Sequence, residues 1–191
     1  MSYPVSFTVQ YAERRSRFSA LFRWLLAIPN FMWVGIYGIF VWIAVVLAWF
    51  SIVITGRYPR PLYNFVAGFL TVAVQSGCYS LLLCDGYPPF RAGNTDYPVQ
   101  LIFDGPLPKY SRLLALFRLT LAIPILVIRY VLNMVLFALG VVSWVTIVIL
   151  GRLPQVLFKP MALSASYMAR SDAYCFLITQ RYPPLDDGGI S

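Results

Sequence analysis

Arg170, Asp172 and Cys175 lie close together in a segment that reads as a helix, and any chemistry in this chain would have to start from them. A carboxylate and a thiol beside a cation could support proton transfer or nucleophilic attack. Two residues apart on a helix, however, Arg170 and Asp172 point to different faces, so each needs a partner elsewhere. Arg129 is the candidate partner for Asp172 if the hairpins pack face to face; otherwise its side chain reaches back to a membrane interface. The chain has no histidine, which removes histidine-ligated haem, the common zinc-enzyme sites and most general-base schemes. It also lacks a phosphate-cradling GxxxxGK loop, a GxSxG elbow and a paired acidic metal motif. Cys78, Cys84 and Cys175 form no CxxC and read as small apolar filler. The expectation is a protein that is not an enzyme and takes no cofactor or metal.

The elements that would position these residues belong to a membrane protein. At 60% hydrophobic and 12% charged, the chain carries more apolar side chain than a soluble domain of 191 residues can hide. Its mean hydropathy is +0.73. The run from Pro29 to Thr55 has no charge and exceeds the ~20 residues that cross a hydrocarbon core. A polar, Arg-rich stretch precedes it, unlike the short flank of a cleavable signal peptide. The net charge of +8 does not point to nucleic acid, because the basic residues flank apolar runs. Arg14, Arg15, Arg17 and Arg23 precede the first run, and Lys109, Arg112 and Arg118 precede the third. They are candidate contacts for anionic lipid or a partner protein, with membrane topology as their plainer role.

The chain repeats itself without a slip in register. Arg17, Ala20-Leu21-Phe22-Arg23 and Leu26-Ala27-Ile28-Pro29 return as Arg112, Ala115-Leu116-Phe117-Arg118 and Leu121-Ala122-Ile123-Pro124. Trp49 matches Trp144, Gly56-Arg57 matches Gly151-Arg152, and Tyr87-Pro88-Pro89 matches Tyr182-Pro183-Pro184. Such gapless self-similarity indicates a duplicated structural unit. Repeat 1 is expected over 1–94 and repeat 2 over 95–191. Each repeat is predicted to begin with a strand, Val5 to Tyr11 and Val99 to Phe103, and the two strands could pair. A basic amphipathic interfacial stretch follows, then Pro29 or Pro124, which either ends that helix or kinks a longer one. Spans of about 29–55, 62–83, 124–150 and 157–178 complete the expectation. It is an all-α membrane protein of four transmembrane helices in two parallel hairpins, with a small β element outside the membrane. The balance of Lys and Arg makes the termini cytoplasmic. The Tyr-Pro-Pro segments read as stops that direct the chain away from the membrane.

The chain resembles a family of bacterial membrane proteins known as domain of unknown function 4389. The residues that carry the resemblance are Phe22-Arg23-Trp24-Leu25-Leu26-Ala27-Ile28-Pro29, Gly56-Arg57-Tyr58-Pro59-Arg60 and Leu81-Leu82-Leu83-Cys84-Asp85-Gly86-Tyr87-Pro88-Pro89-Phe90. In the second half they are Ala173-Tyr174 and Arg181-Tyr182-Pro183-Pro184. The resemblance covers nearly the whole chain and implies no activity. Family members commonly carry an arginine on the returning helix before the Ala-Tyr pair, which Arg170 matches and Gln75 does not.

The functional expectation is a non-catalytic accessory or scaffold subunit of the plasma membrane. It would pack against a larger membrane complex and anionic lipid, with Trp24, Trp33, Trp42, Trp49 and Trp144 at the rim. The alternative is a small transporter or an oligomeric channel built on the polar fourth helix, with Arg129, Arg170 and Asp172 as intramembrane polar residues.

Overall fold

Arg17–Thr55 forms one helix, α1, capped by Ser16, whose side chain accepts from the Ser19 amide, and closed by Gly56 at φ 72°. The computed structural model describes residues 3–184; the chain ends at 1–2 and 185–191 lie outside the described residues. Pro29 sits inside α1, so the interfacial helix expected ahead of it is not a separate element. A proline removes one ladder bond, and packing on both sides of it outweighs that loss. Ala27 and Asn30 are buried, Asn30 accepts from Ser76 Oγ, and its amide donates to Pro88 O at 3.2 Å. In the second half a short helix α3, Arg112–Leu116, leads through Phe117 into α4, Arg118–Leu150, with Pro124 again inside. Gly151 closes α4 at φ 71°. The returning helices are α2, Arg60–Ser80, and α5, Gln155–Cys175.

Strands β1, Val5–Val9, and β2, Val99–Phe103, pair antiparallel from Val5 with Phe103 to Val9 with Val99. Val5, Phe7, Val9, Val99 and Leu101 are buried, while Ser6 faces out. The strands are exchanged: β1 packs on α5 and β2 on α2, so each covers the returning helix of the other repeat.

The contacts between repeats are reciprocal. Trp49 Nε1 donates to Ala115 O at 2.9 Å, and its counterpart Trp144 donates to Ala20 O at 3.1 Å. The Arg15 amide donates to Gly151 O at 3.0 Å, and the Tyr110 amide donates to Gly56 O at 2.9 Å. The start of each long helix therefore meets the end of the other, which makes α1 and α4 antiparallel about a pseudo-twofold axis. The parallel arrangement expected from an even number of crossings is not found. The polar connection after α2 does not stay at the end where it leaves. It runs as β2 along α2, where Gln75 donates to Val99 O at 3.0 Å, and reaches Tyr110 at the opposite end. The Tyr-Pro-Pro segment folds back on α1 instead of leaving it: Trp33 Nε1 donates to Phe90 O at 2.8 Å.

The fold is mostly helical, 65%, with two repeats and a two-stranded sheet. It has three layers: α1 with α4, then α2 with α5, then the sheet. Among the described residues two helices, α1 and the Thr120–Leu150 part of α4, are long and apolar enough to cross a membrane, with mean hydropathy 2.5 and 2.3. Only 28% and 11% of their most apolar stretches are buried in the protein, which separates them from core helices of a soluble domain.

Candidate functional site

Two arginines expected at the lipid surface are inside the protein. Arg23 is fully buried, and its guanidinium donates to Tyr79 O at 3.1 Å, Cys84 O at 2.5 Å and Asp85 Oδ1 at 2.6 Å. Arg118 is buried likewise and donates to the counterpart carbonyls of Tyr174 and Thr179. Each guanidinium also lies over the ring of the helix-ending tyrosine, 4.6 Å from Tyr79 and 3.7 Å from Tyr174. The carbonyls converge because the turn after each returning helix passes through a left-handed leucine, Leu82 or Leu177, both at φ 65°. A non-glycine residue there costs of order 1 kcal/mol. The leucine side chains offset that cost by burial in the core.

Arg15 is the third correction. It is buried, and its guanidinium donates to Leu83 O at 2.7 Å and lies 3.9 Å from Asp85. Desolvation by burial lowers its pKa, against the opposing attraction of Asp85. In repeat 2 the Tyr110 hydroxyl takes this role, donating to Ile178 O at 3.2 Å. Gln180 stands in for Asp85 and exchanges hydrogen bonds with the Ser111 backbone at 3.1 and 3.2 Å. These groups brace the fold.

The other four candidates, Arg14, Arg17, Lys109 and Arg112, are exposed, and they gather in two equivalent places. Arg14, Arg17 and Arg152 line a cavity of about 500 Å³ where the start of α1 meets Gly151. Lys109 and Arg112 line one of about 340 Å³ beside Gly56 at the other end. The glycines admit the arginines: a Cβ on Gly151 would stand 2.9 Å from Arg17 Nε, and one on Gly56 3.7 Å from Arg112 Nε. Among the described residues, no carboxylate pairs with these four cations, and Glu13 reaches only Arg152, at 3.8 Å with both side chains exposed.

A third cavity, about 290 Å³ and apolar, opens on the α1–α4 seam between Trp24 and Trp144, with Leu81 and Gly140 in its lining. In the other half of the molecule, Val45 aligns with Gly140 and Phe176 with Leu81. There Phe176 packs on Trp42 with ring centroids 6.0 Å apart. Sequence reasoning missed this groove. Its only signal was a glycine aligned with a valine.

Arg129 pairs with Asp172, as expected, although within one hairpin, between α4 and α5. Arg170 is buried, its guanidinium 5.5 Å from the Tyr3 ring, so it faces the chain's first described residues. Cys84 is buried beside the Tyr97 hydroxyl at 3.2 Å, and burial pushes its thiol up, away from nucleophilic chemistry at neutral pH. Trp49 and Trp144 are half-buried ties between repeats, while Trp24, Trp33 and Trp42 remain exposed.

The repeat arrangement coincides with a family match. The model of Domain of unknown function (DUF4389) matches residues 17–92 and again 112–185. The chain belongs to this family. Both DUF4389 matches begin at the arginine that stacks on the other repeat's glycine, Arg17 and Arg112, and both enclose the buried arginine and the left-handed leucine. The strands that exchange between repeats lie outside the matched segments. No curated protein and no solved structure matches the chain.

Proposed function

We propose that this DUF4389 protein is a non-catalytic membrane scaffold that lies along the bilayer. On this reading α1 and α4 are sunk into one leaflet, and α2, α5 and the sheet stand on the aqueous side. The observation that carries it is the division of the surface by layer. Phe22, Ile36, Leu47 and Ile54 on α1, and Ile123, Val131, Phe137 and Ile149 on α4, are exposed along the full length of both helices. On the sheet side and in the loop that feeds it, the exposed residues include Ser6, Arg91, Asn94, Thr95 and Asp96, with Ile102 as an apolar exception.

Upright helices would carry the sheet into hydrocarbon, because β2 flanks α2 along its length. An open two-stranded sheet has no partners there for its edge N–H and C=O groups. A helix of 39 residues is also ~58 Å long, nearly twice the ~30 Å core. Lying flat removes both conflicts, and we propose this orientation in place of the two hairpins of transmembrane helices expected from sequence.

Anionic lipid is the first partner. A larger membrane complex docking on α1 is favoured by Trp24, Trp33 and Trp42, whose counterparts on α4 are Leu119, Ile128 and Phe137.

The test is cysteine accessibility in sealed vesicles, using a membrane-impermeant maleimide on a chain whose own cysteines are replaced by alanine. Ser6→Cys, Arg60→Cys and Gln155→Cys should all react from the same side. Reaction of Arg60→Cys and Gln155→Cys from opposite sides would establish crossing helices and end the in-plane reading.

A further inference from the structure

We infer that the two basic cavities are paired sites for the phosphate of an anionic phospholipid, and that the one at Gly151 also holds an acyl chain. The inference rests on the in-plane reading and deepens it. At the Gly151 end Arg17 and Trp24 are two turns apart on one face of α1, and Gly151 caps α4 seven residues after Trp144. The cavity holding Arg14, Arg17 and Arg152 and the apolar groove between Trp24 and Trp144 therefore follow one another along the α1–α4 seam, with the Trp144–Ala20 hydrogen bond between them. Cation and groove stand in the order in which a phospholipid presents headgroup and hydrocarbon.

Charge complementarity selects the ligand class. Among the described residues the exposed cations in both cavities have no carboxylate partner apart from the weak Arg152–Glu13 contact. Guanidinium groups match phosphate oxygens geometrically, and cations at a bilayer surface attract anionic headgroups. The two sites lie at opposite ends of the helix pair, about 50 Å apart by the length of α4. In the in-plane orientation both sit at the rim of the apolar face, at headgroup depth. The sites are unequal. Gly140 and Leu81 leave the groove open at one end, whereas Val45 and the Trp42–Phe176 contact occupy the equivalent place at the other. The site at Gly151 thus holds headgroup and chain, and the site at Gly56 holds the headgroup alone.

The experiment reads binding of the full chain to phosphatidylglycerol vesicles and to phosphatidylcholine vesicles, with native mass spectrometry of lipid retained from the former. Wild type should prefer the anionic vesicles and retain phosphatidylglycerol. R14Q/R17Q and K109Q/R112Q should each lower the preference by about twentyfold, the quadruple variant should abolish it, and R14K/R17K should keep it. Gly140→Val, which copies Val45 and changes no charge, should reduce retained lipid at one site only. Equal preference in wild type and the quadruple variant would overturn the sites while leaving membrane binding intact. Failure to bind either vesicle would overturn the in-plane reading itself. Inorganic phosphate alone protecting Arg17 and Arg112 from a guanidinium reagent, with no gain from lipid, would assign the cavities to a soluble anion.

Discussion

The buried Arg23 guanidinium holds four acceptors, the carbonyls of Tyr79 and Cys84, the Ser19 hydroxyl and the Asp85 carboxylate, and Arg118 repeats the two carbonyl bonds without a carboxylate. Removing either guanidinium strands buried carbonyls at the end of a returning helix, and at Arg23 it also frees the Asp85 carboxylate. Arg23→Ala is therefore expected to cost about 3 kcal/mol, with Arg118→Ala somewhat less because no ion pair is broken. Arg17→Ala, at an exposed cation, should leave the melting temperature unchanged. Circular-dichroism melts in detergent would check this, and equal melting of all three variants would remove the bracing role. Sequence ranked Arg17 and Arg23 alike, since both precede an apolar run. What separates them is the left-handed turn at Leu82, and leucine gives no sign of that conformation, as glycine would at the same place.

At the scale of elements, the exchanged strands tie the repeats. Phe7 is fully buried on the inner face of β1 and Ser6 faces out, so the alternation of the strand separates a core position from a surface one. Phe7→Ala should destabilise by about 4 kcal/mol, and Ser6→Ala by less than about 0.5 kcal/mol. Thermal or denaturant melts of the two variants check the register, and comparable losses would mean that β1 is not held as described. The period-two pattern made this strand pair legible, and charges set within two of the predicted spans made the Arg129–Asp172 pairing legible. The sequence left open whether the proline ends a helix or lies within a longer one, because its local cost is visible in sequence, whereas the compensating contacts of Asn30 with Ser76 and Pro88 come from residues far along the chain. The relation between hairpins was missed for a similar reason. Counting apolar runs gives the number of helices but not the path of a polar connection, and here that path runs the length of α2.

For the whole molecule, the duplication and the exchange together predict its assembly. Residues 91–96 form an exposed polar stretch between the halves, where a chain break is tolerated. Expressed as two chains, 1–94 and 95–191, the halves should co-purify one to one, because β1 covers α5, β2 covers α2, and Trp49 and Trp144 bond across the seam. Each half expressed alone should aggregate, with the face of its returning helix bare. Halves that purify separately as monodisperse species would show the exchange to be dispensable. The same symmetry bears on the membrane. Two copies of one half, inserted in the same sense, can be related only by a twofold axis normal to the bilayer. The pseudo-twofold here runs through the sheet and between α1 and α4, across the helix axes, so aligning it with the normal lays both long helices in the membrane plane. A co-purified pair of halves that keeps one-sided labelling of Arg60→Cys and Gln155→Cys would join the assembly to the orientation, whereas two-sided labelling would separate them.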